Sequence, residues 1–184
     1  MNPEIDVPAA FQASTPASRA YGVLAAVCLA ALILPLTFVG VAVATPAIAR
    51  ELGGSPMALS WVTNAFMLTF GSALMAAGTL ADEYGRKRVF SLGVGLFALT
   101  SLALAFAPSV LWLDGWRALQ GLAGAAALAG GSAALAQEFE GRARTRAFSL
   151  LGTTFGVGLA LLPPIFYAIL GFDDSKYQGP QQSV

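Results

Sequence analysis

The chain has 184 residues, 57% of them hydrophobic and only 11% charged, against roughly 45–50% and about 25% in soluble domains. Ten Lys and Arg balance ten Asp and Glu, which leaves no basic face for nucleic acid and no acidic tail for a cationic partner. There is no His and the single Cys is Cys28, so the chain cannot build within itself a disulfide framework, a Ser-His triad, a Cys-His pair or an ordinary zinc site.

Five uncharged runs, residues 20–49, 52–81, 89–113, 118–137 and 147–172, hold most of the sequence. Each is long enough to cross a hydrocarbon layer of roughly 30 Å, which takes about 20 helical residues. Only helices and closed barrels can span lipid, because every backbone polar group there needs an internal partner. Barrel strands alternate polar and apolar positions, whereas residues 23–34 and 97–106 are apolar or small almost throughout. The expected fold is all-α and integral to the membrane, with helices near 21–45, 57–80, 89–108, 110–136 and 146–171.

Residues 1–18, with three prolines among Ser, Thr and Gln, read as a disordered tail. The first uncharged run is expected to stay as a helix rather than act as a cleaved leader, since Glu4 and Asp6 stand where cations belong and the run exceeds a typical signal core. Orientation follows the cations, which short cytoplasmic loops retain. With the N-terminus inside, seven fall inside (Arg19, Arg86, Lys87, Arg88, Arg142, Arg144, Arg146) and two outside (Arg50, Lys176). Residues 173–184, with Asp173 and Asp174, then form a polar outside tail.

Between the second and third helices lies Gly78-Thr-Leu-Ala-Asp82-Glu-Tyr-Gly85-Arg86-Lys87-Arg88. Gly78 would allow close helix approach, Asp82 would cap or counter-charge a helix start, and Gly85 permits a tight turn. Composition alone makes this either an ordinary cation-retaining loop or something more. The fourth helix opens with Asp114-Gly-Trp-Arg117-Ala-Leu-Gln120-Gly121. An arginine at membrane depth is costly and by default a functional candidate. The alternative is an ion pair with Asp114, three residues away on one helix face, with Arg117 snorkelling to water. Helix five carries Gly152 and Gly156 at a helix-packing spacing, then Pro163-Pro164, which predicts a kink or break.

Residues 78–88 resemble the loop signature G-x-L-A-D-x-x-G-R-K of the major facilitator superfamily. Arg117-x-x-Gln120-Gly121-x-x-Gly124 is similar to its fourth-helix signature R-x-x-Q-G, and Gly141-Arg-Ala-Arg144 follows before helix five. The stretch Pro46-Ala-Ile-Ala-Arg-Glu-Leu-Gly-Gly with Trp61 resembles the first outer loop of the fourteen-helix drug:proton antiporter branch.

The resemblance implies a secondary transporter of two six-helix bundles with alternating access, each bundle made of inverted three-helix repeats. It implies a gating loop containing Gly78, Asp82, Gly85, Arg86 and Lys87, and a cavity arginine tied to proton coupling at Arg117, supported by Gln120 and Gly121. Thr37 and Asn64 become cavity candidates. The chain departs from the pattern in two places. Pro35 stands in the Leu34-Pro35-Leu36-Thr37 stretch where many drug exporters carry an acid, and Leu-Leu-Pro-Pro replaces a G-P-x-x-G-G element in helix five. Coupling through this portion would therefore use Asp114 or a group elsewhere.

Five helices are one short of a first bundle, so the expected protein is an N-terminal portion of an exporter of small amphipathic compounds, inactive alone. It would need the lipid bilayer, a small-molecule substrate and a missing C-terminal half. The alternatives are a short protein working as a homo-oligomer or with a partner half, and a non-transporting scaffold. No cofactor or enzyme activity is expected: there is no G-K-[ST] phosphate loop, Leu92-Gly-Val-Gly lies inside a membrane run, and Asp173-Asp174 reads as solvated.

Overall fold

The computed structural model describes residues 16–170, with side chains described for residues 18–165. Within these residues the chain forms five helices: α1 (Pro16–Glu51), α2 (Pro56–Tyr84), α3 (Arg86–Leu104), α4 (Val110–Glu138) and α5 (Gly141–Leu170). Each is long and apolar enough to cross a membrane. Of the expected tails, residues 1–15 and 173–184 lie outside the described residues, while residues 16–18 already belong to α1.

Local signals set the boundaries. Ser55 caps α2, its hydroxyl accepting from the Ala58 amide at 3.2 Å, and Pro56 follows at a position where its missing N–H costs nothing. Ser109 caps α4 in the same way. Gly85 stands between α2 and α3 with φ +97°, a conformation that glycine adopts without strain. The prolines do not act as stops. Pro35 and Pro46 lie inside α1, and α5 passes through Pro163 and Pro164 without the break expected of them. Proline fixes φ near the helical value, and transmembrane helices tolerate the lost amide bonds when neighbouring groups compensate.

α4 is the central helix. Its small residues let α2 and α3 pack directly on its backbone. A methyl group placed at Gly93 would collide with the Ala127 amide, and one at Gly130 would lie 2.7 Å from the Phe90 amide, so α3 and α4 meet backbone to backbone. α1 packs on α5 and, less closely, on α4. Its buried Pro35 and its Leu32 fill the space over Gly158. The interior is layered, with Val27, Ala31, Leu135 and Leu151 in one cluster and Leu34, Phe66, Phe97 and Ala123 in the next. Large apolar side chains such as Leu29, Met75, Leu92 and Leu99 point outward, as lipid requires.

Two expectations about glycines are corrected. A side chain at Gly78 would meet nothing within 4 Å, so this residue does not bring α2 and α3 together; the close contact of α3 is with α4 instead. Gly152 and Gly156 likewise face open space, and it is Gly158, on the opposite face of the helix from Gly156, that packs α5 on α1. The contrast is testable by thermal unfolding in detergent. Gly93→Ala should destabilise the bundle by about 1–3 kcal/mol through overpacking. Gly78→Ala should be neutral or slightly stabilising, because glycine is a poor helix former.

Candidate functional site

Arg117 is 1% exposed and is the largest side chain in the interior. It extends from α4 toward α2, where its Nε donates to the Val62 carbonyl at 2.9 Å and its guanidinium lies 4.4 Å from the centre of the Phe66 ring. Its Nη1 donates to Gln120 Oε1 at 2.6 Å. Gln120 Nε2 in turn donates to Ser101 Oγ on α3 at 2.7 Å, and that hydroxyl donates to the Phe97 carbonyl at 2.8 Å. One polar chain thus joins α2, α4 and α3.

The close approach of α2 and α4 makes this reach possible. A methyl group at Gly121 would overlap the Thr69 hydroxyl and lie 2.5 Å from the Phe66 carbonyl. Thr69 Oγ1 donates across the same contact to the Ala118 carbonyl at 2.8 Å. A buried cation costs several kcal/mol unless its donors are met. Here Nη2 remains without a hydrogen-bond partner.

The alternative reading, an ion pair with Asp114, is not formed. Among the described residues Arg117 has no carboxylate partner, and Asp114 Oδ1 is buried without a hydrogen bond. Arg117 does not snorkel: the Val62 carbonyl and the Phe66 face offer it partners in the interior. Nor does it line an open cavity. An apolar crevice of about 490 Å³ between α1, α3 and α4 includes Leu34, Phe97, Gly124 and Ser101 but not Arg117. Thr37 is half-buried and donates to the Ile33 carbonyl at 3.0 Å, and Asn64 is exposed on α2; neither joins the Arg117 chain.

The second group gathers at the α2–α3 turn. Arg86 donates through Nε and Nη2 to Asp82 Oδ1 at 3.1 and 3.0 Å, and through Nη1 to the Ala133 carbonyl of α4 at 3.2 Å. Lys87 Nζ lies 2.8 Å from Glu138 Oε1, and Arg19 Nε of α1 lies 3.7 Å from the same oxygen. Asp82 serves as counter-charge rather than cap, since α3 begins at Gly85 with no side-chain cap. Glu138 and Ser101 join these two polar groups and are missed by motif reading. Glu138 had one visible signal, an acid closing a membrane run at the same end as the cations 86–88.

A match to the Major Facilitator Superfamily covers residues 27–174. The chain belongs to this family. Similar proteins include a puromycin resistance protein of Streptomyces alboniger, 37% identical over 79% of this chain and 29% of its own length. A cephamycin export protein of Amycolatopsis lactamdurans is 40% identical over 72% of this chain and 28% of its own. A multidrug efflux pump of Mycolicibacterium smegmatis is 32% identical over 83% and 31%. The chain thus spans less than a third of the length of these relatives, and as a superfamily member it is a multi-pass membrane protein.

The geometry ranks two substitutions. Gln120→Leu strands Arg117 Nη1 and should cost about 1–3 kcal/mol. Arg117→Met removes the charge together with its one unmet nitrogen and leaves only the neutral Gln120 Oε1 without its donor, a smaller loss than a stranded buried cation. Unfolding in bicelles should therefore find Gln120→Leu the less stable variant; the reverse order would mean that the guanidinium, not its acceptor, holds the helices. Glu138→Gln should speed amide hydrogen exchange where α1 and α3 start while leaving residues around Arg117 unchanged.

Proposed function

We propose that the chain forms the N-terminal portion of a secondary exporter of small amphipathic compounds, of drug or antibiotic type, with its N-terminus at the cytoplasmic face of the cell membrane. The observation that carries this reading is the Arg117 chain. A cation at membrane depth is a costly way to join three helices, because apolar packing does so without desolvating a charge. Its presence at that depth fits a group that changes partners during a transport cycle. The names of the relatives, which speak of resistance, export and efflux, agree with this.

Asp114 is the acid assigned to proton exchange in this portion. Its Oδ1 is buried and unpartnered, and it lies three residues before Arg117 on α4, on the same face as the guanidinium. Alternating protonation of Asp114 would change the field at Arg117 and so the hold of α4 on α2. The turn carrying Gly78, Asp82, Gly85, Arg86 and Lys87 acts as the gate, its Asp82–Arg86 pair exposed to an approaching second bundle. Thr37 and Asn64 stand as cavity-wall positions. The chain alone encloses no path between two bundles, so transport requires the opposing wall.

A chimera tests the reading. Residues 1–160 would replace the matching segment of the Streptomyces alboniger puromycin resistance protein in a sensitive host. The chimera should raise puromycin resistance severalfold. Asp114→Asn and Asp82→Asn should each lower that resistance at unchanged membrane levels. A chimera that reaches the membrane and gives no protection, beside a parent that does, would refute the assignment.

A further inference from the structure

The polar chain that ends on α3 has a direction. Arginine carries only donors, so the atom of the Gln120 amide that meets Arg117 Nη1 at 2.6 Å is its oxygen. The amide nitrogen then faces Ser101 Oγ at 2.7 Å, where it can only donate. The hydroxyl must accept there, and its one hydrogen goes to the Phe97 carbonyl at 2.8 Å. On the other side Arg117 Nε donates to the Val62 carbonyl. Every hydrogen bond of the chain therefore points away from Arg117, and its two ends rest on backbone carbonyls of α2 and α3.

Ser101 is where this order could fail. Gln120 is buried and cannot turn to water. Rotated by half a turn, its amide would set the NH2 group against the guanidinium, donor against donor. A Ser101 hydroxyl whose hydrogen pointed at Gln120 would invite that rotation. The Phe97 carbonyl, one helical turn back, draws the hydrogen away instead. Nothing on the crevice wall competes for it: apart from Ser101, the side chains that line the crevice, among them Val94, Ala98, Leu102 and Leu128, are apolar. Neighbouring Thr100 directs its own hydroxyl within α3, to the Leu96 and Phe97 carbonyls at 2.9 Å, and takes no part in the chain. Hydrogen bonds aligned in one sense polarise and strengthen one another, so a hydroxyl on α3 acts on a guanidinium that it does not touch.

We infer that Ser101 is the positioning residue of Arg117: by accepting from Gln120 Nε2 while donating to the Phe97 carbonyl, it holds the Gln120 amide with its oxygen toward the guanidinium. Without that hydroxyl Nε2 is stranded at an apolar wall, where an unmet donor is costly enough to turn the side chain toward a carbonyl of its own helix. Oε1 then leaves Arg117 with it. The inference deepens the proposed export activity, and its bearing on transport rests on that reading. A guanidinium whose Nη1 acceptor is fixed can release Val62 and take another partner without being left bare.

Hydrogen exchange at Arg117 Nε, followed by NMR on the whole 184-residue chain in bicelles, reports how firmly the guanidinium is held. The signal is identified by its loss in Arg117→Met. Ser101→Ala should speed this exchange about tenfold, the worth of a hydrogen bond to a charged group at the lower end of its range. Ser101→Thr should keep the original rate, since its hydroxyl makes both bonds and its methyl has room in the crevice. Gln120→Glu separates orientation from packing. A carboxylate offers Arg117 an oxygen in either orientation, so adding Ser101→Ala to Gln120→Glu should leave the rate within about twofold. Equal acceleration in both backgrounds, or acceleration by Thr100→Val as large as by Ser101→Ala, would mean that α3 is merely loosened and would overturn the inference. So would exchange indifferent to Ser101→Ala. Transport is read separately in the puromycin chimera, where Ser101→Ala should lower resistance and Ser101→Thr should not. Faster exchange with unchanged resistance would uphold the hold of Ser101 on Gln120 and refute the change of partners at Arg117.

Discussion

The contact on which the rest depends is the approach of α2 to α4 at Gly121. Because no side chain intervenes, the Phe66 carbonyl and Thr69 hydroxyl come within touching distance of the α4 backbone. That spacing lets Arg117 reach the Val62 carbonyl and lie against Phe66 while still hydrogen-bonding Gln120. A wider gap would leave the guanidinium donors unmet in lipid-like surroundings, where each unmet polar group costs several kcal/mol. The glycine and the arginine are therefore one device: the first sets the distance that makes the second affordable.

The two polar groups hold the bundle in different ways. The Arg117 chain is buried and incomplete, with one guanidinium nitrogen left over and an unpartnered Asp114 oxygen on the same helix. The group at the α2–α3 turn is exposed and shares its charges, since Asp82 is 65% exposed and Glu138 serves two cations. Exposed pairs of that kind are worth about 0–1 kcal/mol each and yield readily to competing charge. One group fixes the interior; the other is set at a surface that can be remodelled without unfolding it.

Much of this was legible in the sequence. Uncharged runs gave five spanning helices because the bilayer imposes one length on all of them, and the signatures at 78–88 and 117–124 identified the family. What could not be read was which face of each helix meets which neighbour. Gly78, Gly152 and Gly156 look like packing glycines, yet Gly93, Gly121, Gly130 and Gly158 do the packing. Spacing within one helix cannot tell a covered glycine from an open one. For the same reason Asp114 seemed the natural partner of Arg117, three residues away, whereas the actual acceptor is a carbonyl 55 residues distant in sequence. The prolines misled differently. Their local cost is real, but a helix held along its length by α1, as α5 is around Gly158, need not stop where one or two amides are missing.

The shared carboxylate of Glu138 also bears on how the protein is made. Arg19 and Lys87 are synthesised long before Glu138, which closes α4, and both find in it a partner that no earlier residue supplies among the described ones. Only when the fourth helix has been threaded and its last turn emerges does the knot of Arg19, Lys87 and Glu138 close. A single acid at the end of α4 thus ties the starts of α1 and α3 to a helix made after both.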